Sequence, residues 1–134
     1  MRIGNNESEQ AHKLQGESNA GPYANRTYRH GREFSWELKV RPYAPTDLVV
    51  TYWGGDVRRE FDVLIDGKVI ATQKLESNKP GEFFEVRYAI PLEMIQGETD
   101  TLGQKVQTVR AGFRTRNQDA AGGVFGIRTE PGKN

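Results

Sequence analysis

Tyr52, Trp53 and Asp56 stand together in the stretch TYWGGD, residues 51–56. An aromatic face beside a carboxylate suits recognition of a sugar ring. The ring's C–H face packs on the aromatic, while carboxylates, amides and arginines exchange hydrogen bonds with its hydroxyls. Tyr23, Arg114 and Arg116 supply groups of the same kind, as do Tyr28, Tyr43, Arg58 and Asn117. Trp53 with Asp56 is the best local pairing for a ligand or a partner. The plainer use of a Trp or Tyr near a strand end is as a core lid with a satisfied polar tip. Along a strand Tyr52 and Trp53 face opposite ways. At most one of them is ordinary core; the other is covered by the N-terminal segment or offered to a partner.

Other chemistries find less in the sequence. Glycoside hydrolysis needs two carboxylates across a cleft, about 5–9.5 Å apart. Asp56, Glu60, Asp62 and Asp66 are available, but Glu60 and Asp62 read as a solvated sheet face opposite Phe61 and Val63. His12 and His30 are the two histidines, and neither sits in a metal-binding or triad-like context. The phosphate-loop patterns GxGxxG and GxxxxGK are absent. Arg110, Arg114 and Arg116, with Arg58 and Arg59, could gather into a patch that grips sugar carboxylates. The alternative is a solvated face balanced by Glu60, Glu82 and Glu85.

The bulk properties narrow the class further. The 134 residues include 19 basic and 18 acidic side chains, for a net charge of +1. So even a balance argues against a nucleic-acid or anionic-membrane surface. With no cysteine, disulfides, thiolate chemistry and cysteine-based zinc sites are excluded. No apolar run approaches the 18 residues of a membrane span, and no signal-peptide core is present. An export signal is expected to lie outside this sequence. The mean hydropathy of −0.75 is polar, but the apolar residues are clustered. That fits one folded domain over residues 10–130, with a flexible boundary at 1–9 and a tail at 131–134.

The elements that must position these groups read as strands. FSWELKV places Phe34, Trp36, Leu38 and Val40 on one face. LVVTYW is apolar throughout, as in a central strand covered on both sides. In REFDVLIDGKVIATQKL, Phe61, Val63 and Ile65 alternate and Asp66-Gly67 marks a tight hairpin turn. FFEVRYAI sets Phe84, Val86, Tyr88 and Ile90 against Phe83, Glu85 and Arg87, and PLEMIQG reads as one helical turn from Pro91 to Gly97. QKVQTVRAGFRTR puts Gln107, Val109, Ala111 and Phe113 on one side. NQDAAGG reads as a flexible loop and VFGIRT as a short closing strand. Residues 1–31 show little apolar periodicity and read as a meandering segment lying across the domain. Seven or eight short strands with almost no helix predict an antiparallel β-sandwich or barrel.

Several stretches carry a family resemblance: HKLQGESNAG, FSWELKV, LVVTYWGGD, REFDVLIDGKVIATQKL, NKPGEFFEVRYAIPLEMI and AGGVFGIRT. Over residues 10–130 the chain resembles the C-terminal accessory domain of large bacterial β-L-arabinofuranosidase-like glycoside hydrolases. The resemblance implies an all-β antiparallel sandwich of the jelly-roll or galactose-binding-domain kind. It implies that catalysis belongs to a separate helical-barrel domain upstream in the same polypeptide. It places the parent enzymes in gut Bacteroidetes that degrade plant polysaccharides in the periplasm or at the cell surface, and it transfers no catalytic residue. Sandwiches of the galactose-binding kind often hold a structural calcium near the chain ends. Here Glu17 and Asp119 could supply oxygens to one; no other cofactor is expected.

Two functions compete. The favoured expectation is a non-catalytic module that packs on and stabilises its catalytic domain, exposing an apolar patch above about 400 Å² when isolated. The alternative is a carbohydrate-binding module for arabinan-like or pectic plant glycans, with an aromatic-lined surface around Trp53 or the N-terminal tyrosines. An independent enzyme lacks a constellation.

Overall fold

The alternating stretches fold as strands because each buries one face and leaves its backbone to pair with a neighbour. The computed structural model describes residues 1–41, 44–95, 98–99 and 105–132. A short helix, α1 (Asn6–Ala11), precedes β1 (Gln15–Tyr23), β2 (Arg26–Lys39), β3 (Thr46–Trp53), β4 (Arg59–Ile65), β5 (Lys68–Leu75) and β6 (Phe83–Ala89). A 3-10 turn at Leu92–Met94, β7 (Glu98–Thr99), β8 (Lys105–Val106), β9 (Thr108–Thr115) and β10 (Ala121–Pro131) follow. All pairings are antiparallel. The main order is β5-β4-β9-β2-β10-β3-β6, with β1 on the other side of β2.

β2 joins the two halves. Its C-terminal part, Glu33–Lys39, pairs with β9, while Arg29 and Gly31 pair with β10 on the same side. The sheet therefore folds over along β2, and β10 approaches β4 and β9 across the interior. Trp36, Tyr52, Phe34, Phe61, Phe113 and Leu48 fill that interior and are fully buried. Phe34 and Phe113 stack with ring centroids 5.3 Å apart. The expected all-β antiparallel fold is the one observed.

Local details follow the sequence in most strands. Phe34, Trp36, Leu38 and Val40 are buried together, as are Phe61, Val63 and Ile65. Asp66 and Gly67 take φ values of 51° and 82° and turn β4 directly into β5, as the Asp-Gly pair demands. β3 lies between β10 and β6, and every residue from Thr46 to Tyr52 is buried. Its outward Val49 is flanked across the strands by Arg87 and Arg128, whose stems cover it. Arg87 donates to Asp47 and Glu130, and Arg128 to Glu85 and Glu130, so a ladder of ion pairs overlies the apolar strand.

Four expectations need correction. The N-terminal segment does not meander: β1 and the first half of β2 form a continuous antiparallel ribbon from Gln15↔Ser35 to Tyr23↔Arg26. Residues 1–9, expected as a flexible boundary, carry the start of α1 and the buried Glu9. The closing strand β10 runs for 11 residues, from Ala121 to Pro131, and takes in the glycines read as loop and the start of the tail. Asp62 is not a solvated face residue. It is 4% exposed, with Arg114 at 3.2 Å, Arg116 at 3.1 Å and the Thr72 hydroxyl at 3.1 Å. Gly97, the expected end of the helical turn, lies outside the described residues.

Candidate functional site

The turn after β3 is built on close approach. Gly54 donates its N–H to the Glu82 carbonyl and accepts from the Lys79 N–H. A Cβ on Gly54 would stand 1.9 Å from the Lys79 carbonyl oxygen and 2.6 Å from that of Glu82. Neither backbone atom can yield cheaply, so this position requires glycine. Gly54→Ala is expected to cost at least about 2 kcal/mol of folding stability through the displaced loop. Urea unfolding of the variant beside Gly67→Ala checks this. Gly67 has open space for a Cβ, so its variant carries only the strain of a positive φ.

That turn delivers Trp53 and Asp56 to one side of the domain. Trp53 is partly exposed and sits between two rings, Tyr23 at 5.4 Å and Phe83 at 4.9 Å, both edge-on. Phe83 in turn meets Phe125 at 4.9 Å, and Phe125 meets Tyr28 at 5.6 Å. Trp53, Tyr23, Tyr28 and Phe125 line a pocket of about 260 Å³, and Asp56, Arg59, His30, Gly55 and Gly123 complete it. Aromatic rings and polar groups share its wall, a mixture that suits a sugar, with one face apolar and hydroxyls around the rim.

The charged groups are held in place. The Asp56 carboxylate faces the Gly123 N–H. Burial pushes its pKa above the ordinary carboxylate value, and Arg59, Gly123 and His30 only partly offset that. Arg59 donates one N–H to the Ala120 carbonyl at 2.9 Å. Burial, with the positive charge of Arg59, pushes the His30 pKa down, so this imidazole is neutral at pH 7. Its Nδ1 is buried and finds no hydrogen-bond partner among the described residues.

The sequence-predicted residues divide. Trp53, Asp56, Tyr23 and Tyr28 converge on the pocket. Tyr52 does not: it is fully buried in the core, and its hydroxyl meets that of Tyr88 at 2.7 Å, which in turn donates to Gln73. Burial raises the pKa of both phenols, so they remain neutral donors in that chain. Arg114 and Arg116 are spent on Asp62, away from the Trp53 pocket. Arg110 is tied to Glu37 and Ser35. Glu17 lies opposite Glu33 on the exposed ribbon, and the backbone of Asp119 bonds within its own turn to Asn117 and Thr115. Among the described residues no three His, Asp or Glu side chains gather to hold a metal ion. Tyr43 lies outside the described residues.

Arg59, expected in a patch with Arg110, Arg114 and Arg116, joins the pocket without them, and His30 and Phe125 join it although their positions in the sequence carried no such signal. The reason lies in β2. Glu17 pairs with Glu33 and Ser18 with Gly31, so Arg32 is an extra residue in β2. Such a bulge reverses the face taken by side chains before it relative to those after it. Tyr28 and His30 therefore leave the face of Phe34 and stack edge-on at 5.0 Å beside the pocket.

The model of a family of unknown function, DUF6805, matches residues 1–129. No curated protein sequence matches the chain. Among solved structures, a family 35 carbohydrate-binding module from Clostridium thermocellum superposes with a TM-score of 0.59. Identity is 11%, and the match covers 89% of this chain and 91% of that one. A family 35 carbohydrate-binding module from an environmental isolate gives a TM-score of 0.48 at 18% identity, over 76% of this chain and 71% of that one. At 11% identity the first likeness is one of fold.

Proposed function

The chain belongs to the DUF6805 family, a membership that brings no activity with it, and we propose from its site that it is a non-catalytic carbohydrate-binding module. The observation that carries this is the pocket at the β3 turn. There an indole and two phenols surround one carboxylate and one guanidinium, in a volume of about 260 Å³. Asp56 can accept from sugar hydroxyls, Arg59 can donate to them, and Trp53 or Tyr23 offers a face for the ring. The fold shared with the clostridial module fits this reading.

The alternative, a module that only packs on a catalytic domain, calls for a large apolar patch. Among the described residues the exposed large hydrophobics are Tyr23, Val57, Val69 and Leu92, which lie on separate elements. Single exposed apolar residues are ordinary surface. Binding is therefore favoured over packing as the main role. The resemblance to arabinofuranosidase-like enzymes extends the proposal. The module would ride on an exported glycoside hydrolase, in the periplasm or at the cell surface, and take arabinan-like or pectic plant glycans. A structural calcium held by Glu17 and Asp119 is part of the same proposal.

Calorimetric titration of the protein with a panel of plant oligosaccharides, with and without calcium, tests it. Saturable binding that Tyr23→Ala weakens supports the reading, since Tyr23 is 49% exposed and its loss spares the core. Flat titrations across the panel would end it. A pH dependence follows from Asp56. The ionised form is the hydrogen-bond acceptor, and burial has raised its pKa above the ordinary 3.8. Affinity is expected to hold at pH 7 and to fall as the pH drops through that raised value, earlier than for a solvated aspartate. Titrations between pH 7 and pH 4 check it; the acid loss should disappear in Asp56→Asn.

A further inference from the structure

The pocket's boundaries and charges say more about its ligand. We propose that it takes the neutral terminal residue of a glycan chain, one or two rings deep, rather than an internal stretch of chain or a uronate. This inference rests on the carbohydrate-binding reading of the same pocket.

Size and walls argue for a chain end. A volume of about 260 Å³ falls below the roughly 300 Å³ at which sites for drug-sized ligands begin. One side is closed by a fixed aromatic wall. Trp53 is backed by Phe83, and Tyr28 by Phe125. Phe83 and Phe125 meet edge-on at 4.9 Å, and the Arg26 guanidinium lies 4.6 Å over the Phe83 ring. Beyond that wall lies a separate groove over the outer face of β3, β6 and β10, which shares Phe125 with the pocket. A chain cannot run from one to the other without parting rings that pack against each other. That wall stops a glycan from running on past the rings, which suits a chain end better than an internal stretch.

Charge argues for a neutral sugar. Asp56 and Arg59 are the formal charges in the lining, of opposite sign. His30 adds none, because burial keeps it neutral. Arg59 already gives one donor to Ala120. A uronate would bring its carboxylate against the half-buried carboxylate of Asp56, where repulsion is stronger than in bulk water. Neutral hydroxyls instead donate to Asp56 and accept from the free N–H groups of Arg59.

The test compares neutral and acidic oligosaccharides at two lengths, by calorimetry at pH 7. The neutral probes are arabino-, xylo- and galacto-oligosaccharides of two and eight residues; the acidic ones are oligogalacturonides of the same lengths. For the neutral series that binds, the expected Kd per molecule agrees within about twofold between the two lengths. The oligogalacturonides are expected to bind at least tenfold more weakly, and Asp56→Asn to narrow that gap. A tenfold or greater tightening from two to eight residues would overturn the chain-end assignment. Equal or tighter binding of oligogalacturonides would overturn the neutral one. Either result leaves sugar binding itself standing. Absence of binding to every probe overturns both this inference and the reading beneath it.

Discussion

Replacing Glu9 by alanine lowers the unfolding free energy by about 3–5 kcal/mol, the usual cost of removing one partner from a buried ion pair. Glu9 is 2% exposed and belongs to α1, yet its carboxylate serves three other parts of the chain. It takes two hydrogen bonds from Arg29 at 2.8 Å, one from the Trp36 indole at 3.0 Å and one from the Gly4 N–H at 3.0 Å. Without it the guanidinium and the indole N–H are left unpaired inside the domain. The expected fall in midpoint temperature is roughly 10–20 °C, measurable by thermal or urea unfolding. An acid-side signature accompanies it. Burial alone would raise the Glu9 pKa, but Arg29, Gly4 and Trp36 outweigh that and hold it below the ordinary 4.5. Its contribution is therefore complete above the ordinary carboxylate range and is lost as the pH falls through the lowered value. Asp62, lowered in the same sense by Arg116 and Arg114 against its burial, behaves alike. Wild type should lose stability faster than Glu9→Ala as the pH falls below about 4.5. Parallel curves would contradict the ion-pair account.

Trp53→Ala is the second large effect, and it falls on binding. An aromatic anchor in a site of this kind contributes about 2 kcal/mol or more, which is roughly a 30-fold rise in Kd. Trp53 also touches Tyr23 and Phe83, so its removal loosens the pocket wall. The core is spared, because Trp53 lies on the face of β3 opposite the buried Tyr52. The expected pattern is a large loss of affinity with a near-native circular dichroism spectrum and a modest shift in melting temperature. Trp36→Phe gives the reverse. It damages stability through Glu9 and leaves affinity within about twofold, because Trp36 does not line the pocket.

Much of this architecture was legible because burial writes itself into alternation. β3 and the β4–β5 hairpin announce themselves by apolar residues and an Asp-Gly turn. β1 does not, because nearly all of Gln15–Tyr23 is exposed, and an exposed ribbon has no apolar face to repeat. Parity correctly sent Asp62 away from Phe61 and Val63, but parity names a face and not what covers it. Arg114 and Arg116 cover it, and that pairing removes both arginines from any ligand role at Trp53.

The site was half legible for a similar reason. Trp53 and Asp56 are neighbours in sequence, and the split between Tyr52 and Trp53 follows from strand parity alone. Tyr28 and His30 reach the pocket through a bulge at Arg32 that composition does not mark. Arg59 lies three residues beyond Asp56 at the start of β4, whereas Phe125 comes from a strand distant in sequence. Their convergence is a product of the sheet folding along β2.

The two tryptophans provide the most direct measurement. In an NMR titration at pH 7 with neutral arabino-, xylo- and galacto-oligosaccharides, each indole N–H gives its own resonance. Trp36 donates to the buried Glu9 and serves as an internal reference. If the pocket binds sugar, the Trp53 indole resonance moves and saturates with one of the three series while that of Trp36 stays fixed. If every titration leaves the Trp53 resonance unmoved, or moves both indoles together, the pocket is not a carbohydrate site.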